Sequence, residues 1–215
     1  MTHAVDVYWS FRSPYSYFVT PDLMRLREDF EVDVNLRPVL PIAVRTKDTL
    51  FTGDRRRVAY IMMDSVRRAE FLGLKLGMPS PDPIVQDFAT FEVAAEQPYI
   101  YRLTGLGVEA ARRGKGVDFA YHVSHLIWGG EPGWNEGDKL AVATAKAGLD
   151  LAEMEAAIAT SDPMTEIEAN HAALEAAGGW GVPTMVFAGE PFFGQDRIDT
   201  LRWRLSKAGV PQRQA

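Results

Sequence analysis

Cysteine is missing from all 215 residues. Without a thiol the chain forms no disulfide, offers no Cys-ligated zinc site and cannot itself act as a thiolate nucleophile. The composition fits a reducing, cytoplasmic setting, and the length allows one large domain, or one carrying an insertion, whose core needs no covalent staples. Long apolar runs are missing too. None approaches the ~18 residues that cross a bilayer, and the opening MTHAVDVYWSF has neither the basic nor the apolar segment of a secretory signal. Excess positive charge is also absent: 23 Lys and Arg against 29 Asp and Glu leave a net charge of −6. That is the wrong sign for a general nucleic-acid binder. Arg55-Arg56-Arg57, Arg67-Arg68 and Arg112-Arg113 read as solvated helix faces before they read as anion sites. Histidines are few, four in all. His122 and His125 lie one helical turn apart, and Glu168 and His171 form a single E-x-x-H. A di-metal bundle needs two such motifs and two further glutamates, so no metal is expected.

What is there has a clear order. Ala4 to Trp9 is a β-favouring run and reads as a strand. Ser13-Pro14 follows, a strong helix start: serine caps the exposed amides and proline occupies the first turn, where no amide hydrogen is required. Phe18, Leu23, Leu26 and Phe30 continue the helix to about residue 29. Residues 31–37 alternate polar and apolar as a half-buried strand does, closed by Pro38 and Pro41. The start is therefore β-α-β, with a parallel, right-handed crossover as the default. Residues 42–178 read as almost wholly helical, with helices at about 54–76, 98–113, 117–128, 136–147, 151–159 and 163–177. After Gly178-Gly179, strands are expected at 182–187 and 192–193, and a last helix from Asp196. This β-β-α ending joins the β-α-β start into a four-stranded unit interrupted by a helical block.

That arrangement, with Val182-Pro183-Thr184 opening the second half, resembles the thioredoxin fold. The large all-helical insertion resembles its DsbA-like branch. Ser13-Pro14-Tyr15-Ser16-Tyr17, Gly181-Val182-Pro183-Thr184 and Phe193-Gly194-Gln195-Asp196-Arg197 are similar to motifs of one family in that branch, the 2-hydroxychromene-2-carboxylate isomerases and kappa-class glutathione transferases. More loosely, residues 60–74 and 128–131 match its helical segments. The resemblance implies an α/β fold with a thioredoxin-like domain at 1–41 and 179–215 and a helical insertion domain at 42–178.

For the site, the resemblance places Ser13 where relatives carry a reactive Cys. There its hydroxyl and the helix N-terminus would orient and acidify the thiol of bound glutathione; the plain alternative is a helix cap worth about 1 kcal/mol. Val182-Pro183 is expected to be a cis bond beside Ser13, presenting backbone to a peptide ligand, or else simply to start a strand. Phe193, Gly194, Gln195 and Asp196 would hold the γ-glutamyl end, Asp196 being equally suited to capping the last helix. Arg12, Arg45, Lys47 and Arg57 are candidates for a substrate carboxylate, with surface roles as the alternative for Arg12 and Arg57. Trp128 and Trp134 wall either a core or a hydrophobic cleft. Three features depart from the family pattern. Ser10-Phe11-Arg12 lacks the usual Asp, Phe193 replaces Trp, and no Asn-Arg pair is recognisable near Gly53-Asp54-Arg55. The implied activity is a glutathione-dependent isomerisation of an aromatic-derived carboxylate by a homodimer in the cytoplasm. A glutathione transferase or peroxidase, or a non-catalytic peptide-binding module, are the alternatives.

Overall fold

The computed structural model describes residues 3–46, 55–87, 89–90 and 92–213. It begins with β1 (His3–Trp9), α1 (Pro14–Asp29) and β2 (Val32–Pro38). There follow α2 (Ile42–Arg45), α3 (Arg55–Leu72), α4 (Ile100–Arg112), α5 (Gly116–Trp128), α6 (Lys139–Lys146), α7 (Leu151–Thr160) and α8 (Pro163–Ala176). The chain closes with β3 (Thr184–Phe187), β4 (Glu190–Phe193), a 3-10 turn (Gln195–Arg197) and α9 (Ile198–Lys207). The four strands form one sheet in the order β2-β1-β3-β4. β1 runs parallel to β2, and β3 antiparallel to both β1 and β4. The parallel pair needs a crossover, which α1 supplies.

The core of the sheet is the apolar part of β1, where Val5, Val7 and Trp9 are fully enclosed. α1 covers one face through Phe18, Val19, Leu23 and Leu26. Each such side chain contributes about 1.5–3 kcal/mol by leaving water. α4, α5 and α8 of the helical block lie against β2, and α5 also packs on α1. One apolar cluster accordingly runs from Val7 and Trp9 through Leu106 and Phe119 to Ile127. Trp128 and Trp134 belong to this core: their indole N–H groups donate to the carbonyls of Phe11 (3.0 Å) and Pro81 (2.7 Å). They wall no cleft.

Two local features carry the site. Ser13 has extended backbone (φ −93, ψ 119) and stands at the N-cap of α1, with Pro14 next. Further along, Pro21 lies inside α1 and has no N–H for the Tyr17 carbonyl. The Thr20 hydroxyl donates to that carbonyl instead, at 2.8 Å, and the helix continues. The Val182-Pro183 bond is cis, as is Ser80-Pro81.

No helix among the described residues is long and apolar enough to cross a membrane. Two of the histidines weighed as metal ligands have partners within the fold. His125 lies against Tyr17 and Tyr121, and His171 accepts the Leu40 amide hydrogen at 2.8 Å.

Candidate functional site

The centre is Ser13. Its Oγ accepts the amide hydrogen of Ser16 at 3.1 Å, the bond that defines a cap. The hydroxyl hydrogen faces the carbonyl of Val182 at 3.5 Å, the outer limit of a hydrogen bond. Capping and a role toward a ligand are therefore compatible in one side chain. The oxygen is engaged by the helix, while the proton is weakly held and can turn to an incoming acceptor. Beneath it the turn is pinned by Ser13 N–H to the Ser10 carbonyl (3.2 Å) and by the Trp9 indole to the Ser16 carbonyl (2.7 Å). The first-turn amides of α1 add the positive end of a 16-residue helix.

The loop before β3 forms the second wall. Trp180 and Phe193 lie ring to ring, 4.4 Å between centroids, and both are exposed. Gly181 makes this possible, since a Cβ there would stand 2.9 Å from the Phe193 ring. Phe193, which stands in place of the family's Trp, thus forms one exposed aromatic surface with Trp180.

The Pro183 carbonyl accepts the Gly194 amide hydrogen at 2.9 Å, tying the loop to the end of β4. Gly194 has φ 108, a backbone geometry that other residues rarely adopt. Gln195 is buried, and its Oε1 accepts from Arg68 Nε at 2.8 Å. Asp196 is exposed beside Arg197 and caps no helix; the 3-10 turn and α9 both lack a side-chain cap. Its Oδ2 accepts from Arg197 Nη2 at 2.8 Å, and its Oδ1 lies back over Gly194, where a Cβ would stand 2.6 Å from it.

α3 reaches this rim at two points one turn apart. Asp64 accepts from the Tyr15 hydroxyl at 2.6 Å, and Arg68 meets Gln195. Asp64 also receives Arg67 (2.7 Å), which in turn donates to the Tyr60 hydroxyl (3.0 Å). Burial and the neighbouring Asp64 carboxylate hold the Tyr15 phenol well above its ordinary pKa. Asp64 is pulled below the usual carboxylate range: its hydrogen bonds from Tyr15 and Arg67 outweigh the opposing burial. The phenol is therefore a fixed donor and the carboxylate a fixed acceptor near neutral pH. Neither Asp64 nor Arg68 stood out in the sequence, where Arg67-Arg68 resembled an ordinary solvated pair. The only available signal was the i, i+4 spacing of Asp64 and Arg68 on one helix face.

The four basic candidates separate. Arg12 is not open surface: its Nε lies 2.5 Å from Asp82 Oδ1, so its charge is met within the chain. Arg57 is exposed at the start of α3. Lys47 lies outside the described residues. Arg45 is drawn to the site, with Nη2 donating to the Trp180 carbonyl at 3.4 Å. Its side chain is only 10% exposed, Glu175 stands 3.9 Å away, and its Nε is buried without a hydrogen-bond partner. Burial lowers its pKa, but guanidinium remains charged. The neighbouring His171 is pushed down to about 4, by burial first and by Arg45 second, which leaves it neutral and able to accept from Leu40.

The model of the DSBA-like thioredoxin domain family matches residues 4–206. A 2-hydroxychromene-2-carboxylate isomerase of Pseudomonas putida is 24% identical over 204 residues, covering 92% of this chain and 91% of the relative. Among solved structures, a 2-hydroxychromene-2-carboxylate isomerase superposes with a TM-score of 0.69 at 20% identity, covering 95% of each chain. The cytosolic disulfide reductase DsbM of Pseudomonas aeruginosa, solved with glutathione (GSH), gives 0.59 at 15% identity, covering 94% of this chain and 99% of its own. Strand order and the match over nearly the whole length agree: the chain belongs to the DsbA-like thioredoxin-domain family.

Proposed function

We propose that the protein is a glutathione-dependent isomerase of an aromatic-derived carboxylate compound. The observation that carries this reading is Ser13 in a chain without cysteine. The side chain at the helix N-terminus can present a hydrogen to a thiolate and cannot exchange disulfides itself.

The residues present fit glutathione. Its thiolate would sit at the α1 N-terminus, receiving the Ser13 hydroxyl hydrogen in place of the long contact to Val182. Val182 would offer its backbone to the tripeptide as a strand does. At the γ-glutamyl end, exposed Asp196 suits the α-ammonium. Arg68, whose Nε is held by Gln195, suits the α-carboxylate. Phe193 and Gly194 frame this end, Gly194 leaving room for the Asp196 carboxylate to lie over the backbone.

When bound, glutathione would supply a nucleophile that adds to an unsaturated carbon and leaves again after bond rotation or ring opening. The chain's part is to lower the thiol pKa, hold the two reactants in line and anchor the substrate carboxylate. Arg45 is the best-placed anchor, because its partly unsatisfied guanidinium lies against the loop that carries Val182. Lys47 and Arg57 are secondary candidates, and Arg12 is committed to Asp82. The protein acts in the cytoplasm as a homodimer in this reading. The P. putida isomerase relative and the DsbM structure solved with GSH support it.

A glutathione transferase would use the same thiol site, and a peptide-binding module would use only the Val182 backbone. Calorimetric titration tests all three. Binding of glutathione is expected, and none at about millimolar ligand sinks both enzyme readings. Under turnover an isomerase returns glutathione unchanged, whereas a transferase accumulates the conjugate. In a crystal soaked with glutathione, a sulfur farther than about 4 Å from Ser13 Oγ, with no bridging water, would defeat the role given to Ser13.

A further inference from the structure

The β2 edge of the sheet borders a groove of about 560 Å³ that shares no residue with the Ser13 site. Its lining takes in every residue from Val32 to Arg37 in turn. Side chains alternate between the two faces of a strand, so a space touching consecutive residues runs along the edge rather than over one face. β2 is the outermost strand on this side. The opposite wall is the junction of α4 and α5, where Gly114 and Gly116 bring backbone rather than side chains to the opening.

The ladder fixes which main-chain groups face the groove. Trp9 pairs with Pro38 in parallel register, and the Val39 amide donates to the Trp9 carbonyl at 2.9 Å. In a parallel pair this turns the amides and carbonyls of Asp33, Asn35 and Arg37 toward β1, and those of Val34 and Leu36 away from it. The Pro38 carbonyl shares the outward phase, and the Asn170 side-chain amide donates to it at 3.0 Å. No group among the described residues does the same for Val34 or Leu36. Leu36 is only 3% exposed, and an enclosed main-chain group without a partner is costly. The edge therefore presents donors and acceptors that an extended chain can pair with.

Charge selects the chemistry of that chain. Arg27, Arg37, Arg112 and Arg213 line the groove against Asp33 and Glu166. Arg27 is taken up by Asp118, Arg112 by Glu166, and Arg37 gives its Nε to Asp6. Arg213 differs. Its Nε donates to the carbonyls of Arg27 (3.0 Å) and Phe30 (3.1 Å), and no carboxylate among the described residues meets its charge. It stands at the Val32 end, where Gln212 pairs antiparallel with Phe30. A segment laid antiparallel on β2, the stronger of the two pairings, brings its C-terminal side to Arg213. A second copy is a poor occupant: its β2 lies behind its own α4–α5 wall, and pairing two edges would gather the arginines of both along one seam.

We propose that this groove docks an extended segment of a partner protein, antiparallel to β2, with an acidic residue toward its C-terminal end at Arg213. The site does not depend on the glutathione reading. The probe is the fluorescein-labelled peptide Thr-Val-Thr-Val-Thr-Glu amide, followed by fluorescence anisotropy. Binding with Kd below about 1 mM is expected, and none at that concentration overturns the proposal. N-methylation of alternate amides gives two further peptides. One set should lose at least about tenfold in affinity and the other should retain it, because only alternate amides face β2; equal behaviour overturns edge pairing. Moving the glutamate to the N-terminal end should weaken binding as much, and equal affinity overturns the antiparallel placement. Arg213→Glu, an exposed change, should also weaken binding at least about tenfold, with rescue by the peptide ending in lysine. No loss, or a loss without that rescue, overturns the charge assignment and the proposal with it. A dimer in sedimentation equilibrium that Arg213→Glu dissociates gives the edge to a second copy and overturns the proposal as well.

Discussion

Replacing Ser13 with cysteine turns the chain into a gauge of the field that would act on a bound thiol. An unperturbed thiol titrates near 8.5. At this position the thiolate would take over the Ser16 amide hydrogen, now given to Oγ at 3.1 Å. A hydrogen bond to a charged acceptor exceeds one to a neutral acceptor by about 1–1.5 kcal/mol. The positive end of α1 adds about 1–2 kcal/mol in a partly buried setting. Against this stand partial burial of the position and the Val182 carbonyl 3.5 Å from the present hydroxyl, which repels an anion. Allowing about 1 kcal/mol for the opposition leaves about 1–2.5 kcal/mol, or roughly one to two pKa units at 1.36 kcal/mol each. The thiol should therefore titrate between about 6.5 and 7.5. Thiolate absorbance followed against pH, with the wild-type chain subtracted, measures it without a competing thiol, because no other cysteine is present. A pKa at or above 8.5 would show that the α1 N-terminus does not acidify sulfur, and the mechanism assigned to Ser13 would fall.

Two further tests address the frame around the site. Gly181→Ala puts a methyl 2.9 Å from the Phe193 ring, so the Trp180–Phe193 wall must shift. A loss of about 1–3 kcal/mol in chemical denaturation and weaker glutathione binding are expected together; unchanged values would mean that the rings have room to move. His171, held near 4 in the fold, has a free value near 6.5. The unfolded chain thus takes up this proton first. The associated stability is fully present above about 6.5 and is lost as pH falls toward 4, by up to about 3 kcal/mol. His171→Gln should flatten that part of the stability-versus-pH curve, and an unaltered slope would assign the acid sensitivity to other groups.

Most element positions were legible because they depend on neighbours in sequence. Ser13-Pro14 marks a helix start by cap chemistry alone, and Gly178-Gly179 ends α8 by backbone freedom. The alternation over 31–37 declares one buried face. α2 escaped notice because four residues are too few for a period, and at Pro21 the Thr20 hydroxyl takes up the Tyr17 carbonyl that the proline leaves without a donor. At the candidate site, Ser13, Val182 and the 193–196 segment are singled out in the sequence through resemblance to a family. Arg68 and Asp64 were not, because the partners that give them meaning are 127 and 49 residues away. Arg12 illustrates the converse: its apparent availability ended at Asp82, a residue in a proline-rich break with no pattern to announce it.

Ser13 and Val182 are separated by 169 positions, yet meet across one contact. Everything between them is, topologically, a single loop closed by the antiparallel pairing of β1 with β3. Loop-closure entropy grows only with the logarithm of length, so doubling that loop would cost about 0.6 kcal/mol. Insertions in the exposed connections of the helical block would therefore cost little while the meeting point of serine and proline loop stays put, whereas the helices themselves are tied to the sheet and α1 by the shared core. Timing is constrained in the opposite way. On a ribosome adding roughly 5–20 residues per second, the first strand waits on the order of ten seconds or more for its partner. No partial chain can own the site, so a ligand that requires both walls reports only molecules whose synthesis and closure are complete.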